Sequence, residues 1–238
     1  QAKQGQTDGQ TPELASGQPT LISGSGSDEL FGSTVHQSKL LVVGRTTSSF
    51  TYGPPIVTNA PKGGADAFVA SLSTDSGSLL RLTYVGGALD DVGRAIAVMP
   101  TAGGTEEIVV TGSRESSSTS DPPAPQGKNV FATWLTSAGQ ERLTRVFGGT
   151  ADDEGLSVDV DTTYGTAYIG GRTASADFLA KSNLASSRAF DPVIEAGSDL
   201  REGFLAALPA AGGGGWVSFV GGEDVDELWA VSTPRSNR

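Results

Sequence analysis

Four copies of one short phrase constrain the fold of this chain more than any other feature of its sequence. Gly24-Ser25-Gly26-Ser27-Asp28-Glu29, Gly86-Gly87-Ala88-Leu89-Asp90-Asp91, Gly148-Gly149-Thr150-Ala151-Asp152-Asp153 and Gly221-Gly222-Glu223-Asp224-Val225-Asp226 begin 62, 62 and 73 residues apart. A period of that length is a repeated supersecondary unit rather than one turn of a solenoid.

The residues between the phrases recur in a fixed order, as four short apolar runs. The first follows the acids: Ala95-Ile96-Ala97-Val98, Leu156-Ser157-Val158-Asp159-Val160 and Leu228-Trp229-Ala230-Val231, with a degenerate version at Ser33-Thr34-Val35-His36. The second ends in glycine and a nearby arginine: Val42-Val43-Gly44-Arg45, Val110-Thr111-Gly112-Ser113-Arg114 and Ile169-Gly170-Gly171-Arg172. The third carries Phe68, Phe131 or Phe204 in a common register, and the fourth leads back into Gly-Gly. Runs of four to seven residues rich in Val, Ile, Phe, Tyr and Thr, bounded by Gly, Ser, Asp and Pro, read as strands. No segment sustains an amphipathic helical period.

The reading is an all-β chain, a β-propeller-like array of four-stranded antiparallel blades with three full repeats and partial strands at both ends. Repeats span about 24–85, 86–147 and 148–220, with a partial one at 221–238. Together they form one repeat domain, 20–238, behind an arm at 1–19. A four-stranded sheet cannot bury both faces alone, and radial packing of successive sheets solves that while leaving short edges.

The order Gly-Gly-x-x-Asp-Asp, short strand, Tyr-Ile-Gly-Gly-Arg-Thr or Val-Val-Gly-Arg-Thr, then Gly-Gly-Ala-Asp-Ala-Phe-Val-Ala-Ser-Leu and Leu-Thr-Tyr-Val-Gly-Gly, resembles the bacterial beta-propeller repeat usually called the SBBP repeat. The resemblance covers about residues 20–233, and the long linkers and enlarged third repeat depart from the usual pattern. It implies a secreted or envelope-associated, non-enzymatic propeller, and it carries no shared catalytic residues.

Residues 20–23 stand where a fourth strand belongs and 228–233 where a first strand belongs. Propellers close with roughly four to eight blades. Three blades and two orphan strands therefore leave exposed flanks, and an exposed strand edge pairs with something. The missing blades lie in further sequence, or several copies complete a ring, or a partner covers the edge.

Composition agrees with an exported globular protein. A chain of 238 residues can bury a full core, and 33 glycines with 37% apolar residues suit many short strands and turns. There is no cysteine, which removes thiol chemistry, disulfides and cysteine-ligated metals. No run approaches the roughly 20 apolar residues that span a bilayer, so no membrane span is expected. The opening at Gln1, without Met or signal segment, is what a mature exported chain would show. The expected location is the periplasm, the cell surface or the medium. Residues 1–19 read as a flexible leader or as an arm that orders on a partner. Long linkers at 46–64, 115–127 and 173–199 join second to third strands, on the same rim as the Gly-Gly turns.

The acidic turns hold 11 of the 27 acidic residues, and radial repetition would gather them into a negative mouth. Paired carboxylates suit Ca²⁺, which makes Asp90, Asp91, Asp152, Asp153 and Asp226 the candidate metal ligands. Against this, Asp after Gly-Gly commonly caps a turn by accepting backbone N–H groups, and that is the favoured reading. His36 is the only histidine, and nothing near it resembles a nucleophile elbow. No catalytic or cofactor-binding residue is assigned, and a non-enzyme is expected. Trp134, Trp216 and Trp229 fall in three different strand classes, which disfavours a lectin built on one repeated aromatic platform. A net charge of −11 without a basic stripe disfavours nucleic acid. The expectation is thus a binding or scaffold propeller that engages a protein partner or assembles with itself. The alternatives are a carbohydrate- or Ca²⁺-binding module and, third, a hydrolase using acidic residues.

Overall fold

Runs that alternate β-branched and aromatic residues with Thr, Ser and Ala favour the pleated backbone, where branched side chains pack across neighbouring strands. In the computed structural model these runs form thirteen strands and one short helix among the described residues, which are 22–50, 57–101, 104–115, 127–185, 201–222 and 224–234. The arm at 1–19 and parts of all three long linkers lie outside them.

The first sheet contains β1 (Asp28–His36), β2 (Lys39–Thr46), β3 (Val57–Thr58), β4 (Asp66–Ser73) and β5 (Leu79–Val85) in the order β1-β2-β4-β5-β3. The second is a meander of β6 (Asp91–Pro100), β7 (Glu106–Glu115), β8 (Lys128–Thr136) and β9 (Glu141–Phe147). The third repeats it with β10 (Asp153–Asp161), β11 (Thr166–Thr173), β12 (Glu202–Pro209) and β13 (Trp216–Val220). Consecutive strands of each meander are antiparallel; β3 is an addition to the four-strand pattern and pairs parallel to β5.

The sheets stack in series, β6 lying across the first sheet and β10 across the second. Leu41, Val43 and Val69 meet Ile96, Val110 and Phe131 at the first junction. Val109, Ala132 and Trp134 meet Val160, Ile169 and Phe204 at the second. Each fully buried large apolar side chain contributes roughly 1.5–3 kcal/mol, so these two seams hold the array together. Phe68, Phe131 and Phe204 are all buried, and each lies on the same side of its own sheet. For Phe68 that side carries no earlier sheet. Ile22, Phe50 and Val57 cover it instead, with Tyr84 donating its hydroxyl to the Ser48 carbonyl at 2.8 Å. The linker after β11 forms helix α1 (Phe178–Lys181), which plugs Phe178 between Phe147, Phe204 and Phe219.

Three expectations are corrected. The first strand of each unit begins at the acid itself, not several residues later, because pairing starts there: Asp28 opposes Thr46, Asp91 opposes Arg114 and Asp153 opposes Thr173. The first copy, degenerate in sequence, still forms a full inner strand, eight of the nine residues of β1 pairing with β2. The flanking strands are also not formed as expected. Ile22 and Ser23 pair with no strand, Thr20 and Leu21 lie outside the described residues, and 228–233 run along the third sheet without ladder pairing. Among the described residues the three sheets make an open series, not a closed ring.

Candidate binding surface

The Gly-Gly turns are built alike because the acid four residues on holds each of them. Gly24 donates its N–H to Asp28 Oδ2 at 2.8 Å, and Gly87, Gly149 and Gly222 donate to Asp91, Asp153 and Asp226, each at 2.7 Å. The partner strand adds donors. The Thr46 and Ser48 hydroxyls bond Asp28, and those of Thr173 and Ser175 bond Asp153. The acid before them reaches to the preceding sheet, Asp90 Oδ1 accepting from Ala65 N–H at 2.9 Å and Asp152 Oδ1 from Lys128 N–H at 3.1 Å. Of the five metal candidates, Asp91, Asp153 and Asp226 cap their turns, and Asp90 and Asp152 bond backbone N–H groups of the preceding sheet. They lie in three separate turns, and among the described residues no group of three or more His, Cys, Asp or Glu side chains is placed to hold a metal.

Burial withdraws two of the turn acids from the negative mouth expected of them. Asp91 and Asp153 are fully buried, and desolvation pushes the carboxyl of each up to about 7. At Asp91 the Gly87 N–H and the Arg114 guanidinium, its Nε 3.8 Å away, oppose that rise without overcoming it. Register separates the three arginines that sequence aligned. Arg45 and Arg172 oppose Glu29 and Glu154, whereas Arg114 stands opposite Asp91, where the other sheets place Thr46 and Thr173.

A β-bulge interrupts each inner strand at the same place, between Leu30 and Gly32, Gly93 and Ala95, and Gly155 and Ser157. Bulges re-aim side chains, and the extra residues Phe31 and Arg94 meet across the first junction, the guanidinium 4.3 Å from the ring centre. Arg94 continues to Glu154 at 2.6 Å, Glu154 to Arg172 at 2.7 Å, and Arg172 to Glu227 at 2.5 Å. Arg201 closes the ladder on Glu227 at 3.3 Å. Although partial burial pushes Glu227 up, Arg172 and Arg201 hold its carboxyl below the usual range. The ladder borders a cleft of about 140 Å³ whose walls include Arg94, Lys128, Asp152, Arg172 and Arg201. Sequence reasoning passes over Arg94, Glu154 and Glu227 as a set, although the bulge residue always stands three positions after the capping Asp.

Beyond the ladder, the chain begins a fourth unit. Gly222 and Asp226 rebuild the turn, and Asp226 N–H donates to the Arg201 carbonyl at 2.8 Å just as Asp91 N–H donates to that of Ala65 at 2.7 Å. Leu228 N–H then bonds the Gly171 carbonyl at 3.1 Å, and Thr233 bonds the Asp159 carboxylate and the Val160 carbonyl. Residues 226–233 thus lie on the third sheet where an inner strand would stand. Trp229, at the bulge position, is 66% exposed and Val225 is 55% exposed.

His36 Nε2 lies 3.6 Å from Glu106, at the rim opposite the Gly-Gly turns. Trp134 is core and Trp216 packs edge-on against Tyr168, so the three tryptophans do not share a platform. No helix among the described residues is long and apolar enough to cross a membrane. No family model matches the chain, and neither does any curated protein.

Proposed function

We propose that this chain is a non-enzymatic binding or scaffold propeller of the SBBP-repeat kind, located in the cell envelope or outside the cell, which engages a protein partner through its rim loops and blade edges. The carrying observation is the fourth Gly-Gly turn, closed by Gly222 on Asp226, and the segment after it, which docks on the third sheet through Asp226, Leu228 and Thr233. Exposed apolar side chains collect there: Val220, Val225 and Trp229. Exposed apolar side chains beside a sheet offer burial to a protein partner. The envelope location rests on the sequence resemblance. The non-enzymatic reading is supported by the buried, turn-capping roles of Asp91 and Asp153 and by the pairing of His36 with Glu106.

A photo-crosslinking residue at Trp229 or Val225 is expected to capture one discrete protein in an envelope fraction. The same residue at Tyr164, 80% exposed on the turn between β10 and β11, is expected to capture none. Equal labelling from all three sites, or none from any, would contradict the reading.

A further inference from the structure

We infer that the cleft between the first and second sheets binds a small monocyclic aromatic carboxylate, its ring on the aliphatic floor and its carboxylate toward Lys39 and Arg81. The site is separate from the partner surface proposed above, and either can fail without the other.

Register shows why a space is left there. Phe68 opposes Gly44 in the first sheet as Phe131 opposes Gly112 in the second, so the residue opposite Leu41 corresponds to the residue opposite Val109. The former is Ser71 and the latter is Trp134. Alternation turns both side chains toward the following sheet, Ser71 on the side of Val69 and Trp134 on the side of Ala132. Trp134 is fully buried at the second junction, in one cluster with Val109, Ala167 and Leu208, and Leu143 packs against them. The first junction has Leu41, Ile108 and Leu135 at those places, and Arg81 opposes Ser71 where Leu143 opposes Trp134. Leu41 and Ile108 are larger than Val109 and Ala167 and take up part of the indole's space. A cleft of about 130 Å³ remains, lined by Leu41, Val69, Ser71, Ile108 and Leu135 among others.

A cavity of roughly 150 Å³ with aliphatic walls accommodates benzene, so the space where the indole is missing fits one aromatic ring. The second junction shows that this layer of the seam takes a planar aromatic group between two sheets. The polar part of the ligand is set by Lys39, Arg81 and Glu106, which line the same cleft toward the rim opposite the Gly-Gly turns. Glu106 faces His36 Nε2 at 3.6 Å, whereas Arg81 donates to two neutral acceptors, the Ala138 carbonyl at 2.6 Å and the Thr58 hydroxyl at 3.3 Å. Among the described residues neither Lys39 nor Arg81 forms an ion pair. Two cations whose charge no acid of the chain takes up thus stand over an apolar floor. A ring bearing a carboxylate satisfies both, and a neutral ring only the floor.

The test is methyl-resolved NMR of the full chain titrated with phenylacetate. Saturable shifts are expected at the methyl groups of Leu41, Val69, Ile108 and Leu135, with a dissociation constant on the order of 1 mM, as suits so small a ligand. No such shifts are expected at Val109, Ala167 and Leu208 around Trp134. Benzyl alcohol, the neutral analogue, is expected to bind about threefold more weakly, and acetate not at all. Lys39→Met should weaken phenylacetate binding about threefold, in the range of a partly exposed charge pair, and leave benzyl alcohol binding unchanged. Ser71→Trp places the second junction's residue in the first and should weaken binding at least about tenfold. Ser71→Leu, smaller and easier to pack, should do the same and decides the matter if the tryptophan variant does not fold. No saturable shift at these residues, equal shifts at both junctions, or unchanged phenylacetate binding by a folded Ser71 variant overturns the inference. Benzyl alcohol binding as tightly as phenylacetate overturns the assignment of a carboxylate.

Discussion

Gly112→Val is expected to abolish folding. The new Cβ would lie 1.8 Å from the Val92 carbonyl oxygen, and the β6–β7 ladder fixes both backbones. The contact falls beside the bulge between Gly93 and Ala95, where the inner strand swings toward its partner, so relief requires separating the two strands at the centre of the second sheet. A loss of more than about 4 kcal/mol is expected, at the upper end for single substitutions and a large share of the roughly 5–15 kcal/mol that stabilises a typical domain. Gly222→Ala is the control, because a Cβ there meets nothing within 4 Å, and its effect should stay within about 0.5 kcal/mol. Urea titration followed by circular dichroism reads both variants. A cooperatively folded Gly112→Val protein of near-parental stability would refute the tight bulge geometry on which the strand register depends.

Acidification from about pH 7.5 to 5 is expected to stabilise the protein, the reverse of the usual behaviour of a carboxylate-rich chain. Asp91 and Asp153 titrate near 7 when folded, chiefly because burial disfavours their charge, against 3.8 for the ordinary side chain. Between those values the folded state binds protons that the unfolded state does not. Stability from these groups is therefore complete below about pH 4 and is lost as the pH rises through 7. Raising a carboxyl's titration point by one pH unit is worth about 1.36 kcal/mol, so each group contributes on the order of 2–4 kcal/mol, and the melting temperature should rise by about 10 °C or more. Relief of self-repulsion at a net charge of −11 acts in the same direction. Asp91→Asn should remove about half of the slope without unfolding the protein, since the amide oxygen can still accept the Gly87 N–H and only the 3.8 Å ion pair of Oδ1 with Arg114 is lost. A melting temperature that falls steadily from pH 7.5 to 5 would show that both carboxylates are ionised in their turns.

The repeat phrase made the number of units, their antiparallel order and the shared Phe register legible, because each depends on local pattern repeated three times. What sequence blurred was position along the ladder. Arg114 looked equivalent to Arg45 and Arg172 until pairing set it one residue further along, opposite Asp91. The acids looked like exposed turn residues because an Asp after Gly-Gly carries no signal of burial. It is the strand partner, Thr173 for Asp153 and Arg114 for Asp91, that draws each one into the sheet. Likewise β3 arises from two residues pairing across to β5, a contact too short to leave a periodicity. The ion-pair ladder joins residues 60 and 55 positions apart, Arg94 to Glu154 and Arg172 to Glu227, and only stacking of the sheets brings them together.

The central claim is that residues 224–234 are docked on the third sheet where an inner strand would stand, with no second strand beside them among the described residues, and amide hydrogen exchange of the free protein at single-residue resolution tests it most directly. The account predicts slow exchange at Asp226, Leu228 and Thr233, whose N–H groups bond Arg201, Gly171 and Asp159, beside fast exchange at Val225 and Glu227. Val92 and Glu154, the matching residues of the second and third units, should be slow because β7 and β11 cover them. Uniformly fast exchange across 224–234 would mean that the segment is not docked, and protection of Glu227 equal to that of Glu154 would mean that a second strand stands beside it. Either result would contradict the claim.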